Sequence, residues 1–221
     1  MIYDKETVKL LIKEQTGKSV KELISDKKFI PFISYTTRLQ RLGETDGVEH
    51  LFISEEKADE ILKDKDKILA YTEINNRRYF TLTDQMKDHN VYIIDPNGIK
   101  DIQERHPEVK LNIYHITCSF NNRYRRYMQR LGLECTAKDM WKFKDRDSSE
   151  DKQFTDFEAA SIPYTSFIND NPYLNGTVSN IFCKIVEDYD PKAIICIVGR
   201  TASGKDTIVR HLLELFNDKE E

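Results

Sequence analysis

Residues 193–207 read AIICIVGRTASGKDT. The first six are continuously apolar, the pattern of a short strand buried on both faces of a parallel sheet. Gly199 and Gly204-Lys205 then complete G-x-x-x-x-G-K, with Asp206 at the position that usually holds Ser or Thr. Lys205–Phe216 continues at helical spacing. Strand, glycine-bounded loop and helix follow one another as a phosphate loop requires. Glycines let backbone N–H groups turn inward around a polyphosphate, and the helix start adds partial positive charge. Lys205 suits the β- and γ-phosphates. The expected ATP-binding set is Gly199, Ala202, Ser203, Gly204, Lys205, Asp206 and Thr207, with Asp206 and Thr207 as oxygen donors for Mg²⁺. Gly17-Lys18-Ser19 imitates the end of such a loop. Its partner position is Ile12 and no buried strand precedes it, so it reads as a turn between helices.

Outward from this point, apolar strands alternate with helices. Strands are expected at 29–35, 51–54, 68–74, 78–82, 91–94, 111–117 and 164–168, and helices at 5–14, 20–24, 55–62, 99–105, 123–131 and 177–188. Asn75-Asn76 marks a tight turn between two of the strands. Residues 133–160 are charged and poor in aliphatics, the pattern of exposed, mobile helices, and the tail at 217–221 reads as frayed. The fold class is therefore α/β: a P-loop NTPase fold whose parallel sheet is covered by helices on both faces.

The 221 residues carry 34 basic and 38 acidic side chains, a formal net charge of −4. That length suits one core, and the balance suggests no nucleic-acid partner. No apolar run is long enough to span a membrane, and the first residues lack a signal-peptide pattern. A cytoplasmic location is expected. Cys118, Cys135, Cys183 and Cys196 are far apart and read as free thiols, with Cys183 and Cys196 in the core.

An acceptor site is suggested by the stretch Ser34–Ser54, SYTTRLQRLGETDGVEHLFIS. Arg38 and Arg41 lie three apart on a loop after a strand and could clamp a phosphate monoester. The stretch resembles the guanylate kinase signature S-x-T-T-R-x-x-R-x-G-E-x-x-G-x-x-Y-x-F. Arg78-Tyr79-Phe80-Thr81 resembles the family's tyrosine and hydroxyl segment, and Asp95-Pro-Asn-Gly98-Ile99 resembles its D-x-x-G-V segment. The resemblance implies an acceptor site formed by Ser34, Arg38, Arg41, His50, Tyr79, Thr81 and Asp95. It also implies that Arg126 and Arg130 approach the transferred phosphate. Their i, i+4 spacing points them one way, and without a phosphate the pair is repulsive. The family's third lid arginine is matched by Lys142, Lys144 or Arg146, with Lys142 taken as the catalytic cation. Asn169 follows a strand where the family contacts adenine; a turn role fits it nearly as well.

The chain departs from the family pattern in three places. His50 stands where the family has a phosphate-binding tyrosine. Ala70 stands where it has the glutamate that reads guanine, and Glu73, three residues along a strand, points to the other face. The phosphate loop is last in sequence, whereas the family has it first, which implies a circular permutation. Residues 4–25 have no family counterpart. The implied organisation is one kinase domain over 1–221, with an acceptor lobe at 35–82, a lid at 131–160 and the P-loop strand and helix at 193–216. The implied activity is ATP- and Mg²⁺-dependent phosphorylation of a nucleoside monophosphate, GMP or dGMP first. A different or modified base, or a non-catalytic binding module, are the alternatives. The expected partners are small nucleotides, and the chain is expected to be a monomer or homodimer.

Overall fold

The computed structural model describes residues 3–132, 136–171 and 173–218; Cys135 lies outside them. In chain order the elements are α1 (Lys5–Thr16), α2 (Val20–Ile24), β1 (Tyr35–Thr36), β2 (Leu51–Phe52), α3 (Glu55–Ile61), β3 (Ile68–Ile74), β4 (Arg77–Leu82) and β5 (Val91–Ile93). They continue with α4 (Pro96–Arg105), β6 (Lys110–Thr117), α5 (Phe120–Leu131), α6 (Ala137–Ala159), β7 (Thr165–Ile168), α7 (Asn175–Glu187), β8 (Ala193–Val198) and α8 (Lys205–Phe216).

The main sheet has the order β5-β8-β6-β7, and every pairing in it is parallel. The last strand in sequence is thus interior to the sheet. All six residues of β8 are buried, and the two faces divide them by alternation. Ile195 and Ile197 join the core beneath α7 and α8. Ile194, Cys196 and Val198 join the core shared with α4 and α6. Burying each isoleucine contributes roughly 1.5–3 kcal/mol. The continuous apolar run is therefore a two-faced pattern with both faces filled.

A second sheet, β2-β1-β4-β3, forms a separate lobe around Ala58, Ile68 and Phe80. β3 and β4 are joined through Asn75 and Asn76, at φ 52° and 56°. Positive φ at both turn residues gives a turn whose twist matches the strands, and asparagine tolerates that region.

Four expectations need correction. Residues 29–34 do not form a strand: Pro31 makes an isolated bridge to Val91, since a proline has no N–H for a continuous ladder. The charged stretch near 140–160 is one 23-residue helix, α6, and Phe143, Phe154 and Phe157 on it are buried. Eleven and three residues apart, these rings share one helical face. Aromatic anchors do the packing that aliphatics would otherwise do. Cys183 is half-buried, donating to Gln15 Oε1, while Cys196 is fully buried as expected. Asp218 is held by Lys5 and Lys9, at 2.9 and 2.7 Å, so the tail is tied down through that residue; residues 219–221 lie outside the described ones.

Residues 4–25 gain a role. Val8 and Ile12 of α1 and Val20 and Ile24 of α2 pack into the core formed by α7 and α8. Gly17 closes α1 at φ 72° and Ser19 opens α2 with a capping box. The Gly17-Lys18-Ser19 segment is a helix–helix turn, as its context indicated.

Candidate active site

The loop after β8 is set by sterics. A Cβ on Gly199 would lie 2.7 Å from the Ile116 carbonyl oxygen, so strand and loop approach closely because this residue has no side chain. Gly204 has φ 94° and caps α8 without a side-chain bond. The first N–H groups of α8 are therefore open to an anion. Ala202 sits at φ 60° although it carries a Cβ. Holding a non-glycine residue there costs of order 1–3 kcal/mol and is a mark of functional loops.

Buried polar groups surround the loop. Arg126, on α5, donates to Ser203 O at 2.9 Å and to Asn169 O at 2.6 Å. Asn169 donates its own Nδ2 to Ser203 O at 2.8 Å and is wholly buried. Ser203 Oγ, Asn169 Oδ1 and Arg126 Nε are buried without a protein partner. Three such orphans against one loop are uncommon. Asp206 is exposed, and the Lys205 ammonium at 3.7 Å holds its carboxyl below the usual range, with Arg130 adding to this. Arg130 is itself exposed, over the Tyr127 ring. Thr207 lies beside Asp206 in the first turn of α8.

The acceptor lobe faces this loop across a cleft of about 690 Å³. Ser34, His50 and Tyr79 of the second-sheet lobe line it, with Asp95, Gly199, Thr201 and Lys205 at the ends of main-sheet strands β5 and β8 and Arg146, Glu150 and Gln153 of α6. Ser34 Oγ lies 3.0 Å from Thr81 Oγ1, which lies 2.6 Å from Tyr92 OH. Thr81 is fully buried and links the two outer hydroxyls, while burial pushes the Tyr92 phenol up to about 12. Asp95 caps α4 by accepting from Gly98 N at 2.8 Å. Burial raises its carboxyl above the ordinary range, against the pull of Gly98 N–H and the Thr72 hydroxyl. His50 Nδ1 is buried without a partner, and burial followed by the Arg38 charge lowers its basicity.

Arg38 is held by Glu44 through two bonds of 2.7 Å, and Arg41 N–H donates to the same carboxylate at 2.8 Å. The Arg38 guanidinium keeps Glu44 down at about 2. Arg38 NH1 also donates to Leu39 O, and Tyr79 interacts with the same guanidinium. The Arg41 side chain is largely exposed.

The cleft thus gathers Ser34, His50, Tyr79, Asp95, Gly199 and Lys205 on its walls. Arg126 and Asn169 both hold the loop through the Ser203 carbonyl. Lys142 is off the walls, paired with Asp139 at 2.9 Å; of the three candidate cations Arg146 lines the cleft, and Lys152 of α6 lines it as well. Ala70 is buried on the wall, and Glu73, expected to point away, also lines the cleft, accepting from Tyr71 OH at 3.3 Å.

The sequence matches the guanylate kinase family over residues 12–158. The chain belongs to that family. The match covers the Ser34–Ser54 stretch, all four strands of the second sheet, α5 and nearly all of α6, and ends before Asn169 and the loop after β8. The guanylate kinase of Clostridioides difficile (strain 630) is 36% identical over 99 residues, 42% of this chain and 48% of that protein. The aligned stretch therefore spans about half the length of that relative. Among solved structures, guanylate kinase from Anaplasma phagocytophilum aligns over 85% of each chain, with a TM-score of 0.49 and 16% identity.

Sequence reasoning missed several residues. Glu44 was visible as the acid after Gly43 in the family signature. Arg123 is buried, donating to Asp147 on α6 and to Cys118 O at 3.1 Å, and so joins α5 to α6. Neither Arg123 nor Glu150 has a local signal, because each finds its partner on a distant element.

Proposed function

We propose that this guanylate kinase family chain transfers the γ-phosphoryl group of ATP to a nucleoside monophosphate. The observation that carries the reading is one cleft whose lining combines Lys205 and Gly199 with Asp95 of the main sheet and Ser34, His50 and Tyr79 of the second-sheet lobe. An acceptor phosphate held near Arg38, Arg41, Tyr79 and His50 would face a polyphosphate on the loop. An acceptor phosphate oxygen forms the new bond to the γ-phosphorus. The bond to the β–γ bridging oxygen breaks, and its electron pair leaves with ADP. Lys205 follows the charge onto the β-phosphate, and Arg126, Arg130 and Arg146 supply further positive charge as the lid settles. Of the candidate lid cations, Arg146 replaces Lys142 in this reading because it lines the cleft. The orphaned Asn169 Oδ1 and Ser203 Oγ fit a nucleotide above the loop.

Asp206 and Thr207 offer hard oxygen donors that suit Mg²⁺. Bound with the nucleotide, Mg²⁺ would neutralise phosphate charge.

GMP or dGMP is the first candidate acceptor, with Asp95 and the Ser34–Thr81–Tyr92 hydroxyls near the base. A different or modified base is the second reading, favoured by one observation: the wall residue Ala70, at the position of the family's guanine-reading glutamate, has no side-chain acceptor for guanine N1–H, and the carboxylate that does line the cleft there, Glu73, lies three residues further along β3. The permuted chain order belongs to the same proposal. β8 is interior to the sheet, joined to α7 by the short 188–192 turn, so the loop reaches its place from the C-terminal end of the sequence. ADP release measured with each common NMP and dNMP tests the assignment. Turnover with guanine nucleotides is expected; a clear preference for another base would replace GMP, and no turnover with any would favour a binding module.

A further inference from the structure

We propose that Glu150 is a built-in anion of the phosphate loop: it holds α6 on the loop until a nucleotide polyphosphate displaces it. The inference rests on the phosphate-loop reading above. Glu150 Oε2 accepts the backbone N–H of Thr201 at 2.8 Å, and Oε1 accepts the Thr201 hydroxyl. The same Oε1 accepts Arg146 Nε at 3.1 Å. One carboxylate thus takes two donors of the loop and neutralises the lid arginine. Thr201 is buried, the Glu150 side chain is 15% exposed, and both line the cleft with Lys205.

The chemistry of the contact points to exchange. A loop that turns N–H donors inward is built for phosphate oxygens, and here a donor beside left-handed Ala202 is held by a carboxylate. Carboxylate and phosphate use the same donors and repel one another. A polyphosphate entering the loop therefore removes the reason for Glu150 to stay. Its departure frees Arg146, whose charge is then available to the phosphates. Glu150 is in this sense a positioning residue, coupling nucleotide entry to α6. The neighbouring pair, Asp151 with Arg200, differs in kind: Asp151 is 62% exposed, so solvent screens it and its loss matters little.

Titration calorimetry on the full chain tests this, with MgATP and inorganic triphosphate as probes. Removing a charged competitor from a buried hydrogen bond should tighten MgATP binding about tenfold in Glu150→Gln. Glu150→Ala should move the same way, and helix propensity favours alanine there. Inorganic triphosphate should show the same gain, placing the effect at the phosphates. Asp151→Asn should stay within about twofold of wild type. The single tryptophan, Trp141, is on α6 and exposed. Its iodide quenching in nucleotide-free Glu150→Gln should shift toward that of wild type with MgATP. Equal or weaker MgATP binding by both Glu150 variants overturns the proposal. If wild type binds and Lys205→Ala does not, the phosphate-loop reading survives that outcome. If neither wild type nor Glu150→Gln binds either probe, both fall.

Discussion

The two ends of the cleft are built on different principles. The phosphate-loop end is mostly backbone. It hangs from a fully buried strand, and its shape comes from Gly199 against Ile116, left-handed Ala202 and Gly204, and the open start of α8. The acceptor end is mostly side chain. It is carried on two-residue strands β1 and β2 and on a loop where Glu44 positions Arg38 and Arg41. A backbone site keeps its chemistry through most side-chain changes. A side-chain site changes with each substitution, and here it has changed, at His50 and Ala70. The comparison sets a loop shaped by its backbone against a lobe whose character rests on individual side chains.

Three variants can break or sharpen that contrast. The largest effect is expected from Lys205→Ala, with kcat down by about 10²–10³-fold, since it removes a charge placed at the transferring group. The side chain is at the cleft edge, so thermal unfolding should be unchanged. Full turnover in this variant would end the assignment of the loop. Arg38→Ala should raise the acceptor KM by about tenfold or more, with the ATP KM unmoved. A change confined to the ATP KM would place the clamp at the wrong end.

Asp95→Asn should have the smallest effect on catalysis, a rise of about tenfold or less in acceptor KM. Asparagine keeps the cap on α4, and the stability effect has a definite sign. Because burial raises the carboxyl in the folded state, Asp95 favours folding below its ordinary titration range. That contribution is lost as pH rises through the folded value. Relative to wild type, the variant should therefore gain stability between pH 3.5 and 7. Parallel melting curves across that range would show that the carboxyl is not desolvated.

Much of this was legible in the chain. β8, α8 and the Asn75-Asn76 turn were readable because each is decided locally, by an apolar run, a helical period or a left-handed turn residue. The loop at 29–34 misled because apolar content outweighed Pro31, whose missing N–H limits the ladder to one bridge. α6 misled for the opposite reason: its charge hid Phe143, Phe154 and Phe157, spaced to one face over about four turns. The cation on the cleft could not be chosen among Lys142, Lys144 and Arg146, because register along α6 depends on where those rings pack.

By itself the sequence determined the α/β class, the phosphate loop with its strand and helix, and the acceptor signature with Arg38 and Arg41. These depend on periodicity and on residues that act with near neighbours. Tertiary structure alone decided that one cleft joins the two ends, that Arg126 and Asn169 both hold Ser203, and that Glu150 sits on Thr201 from 51 residues away. Such pairings are made by packing between distant elements, and nothing local in either partner announces them.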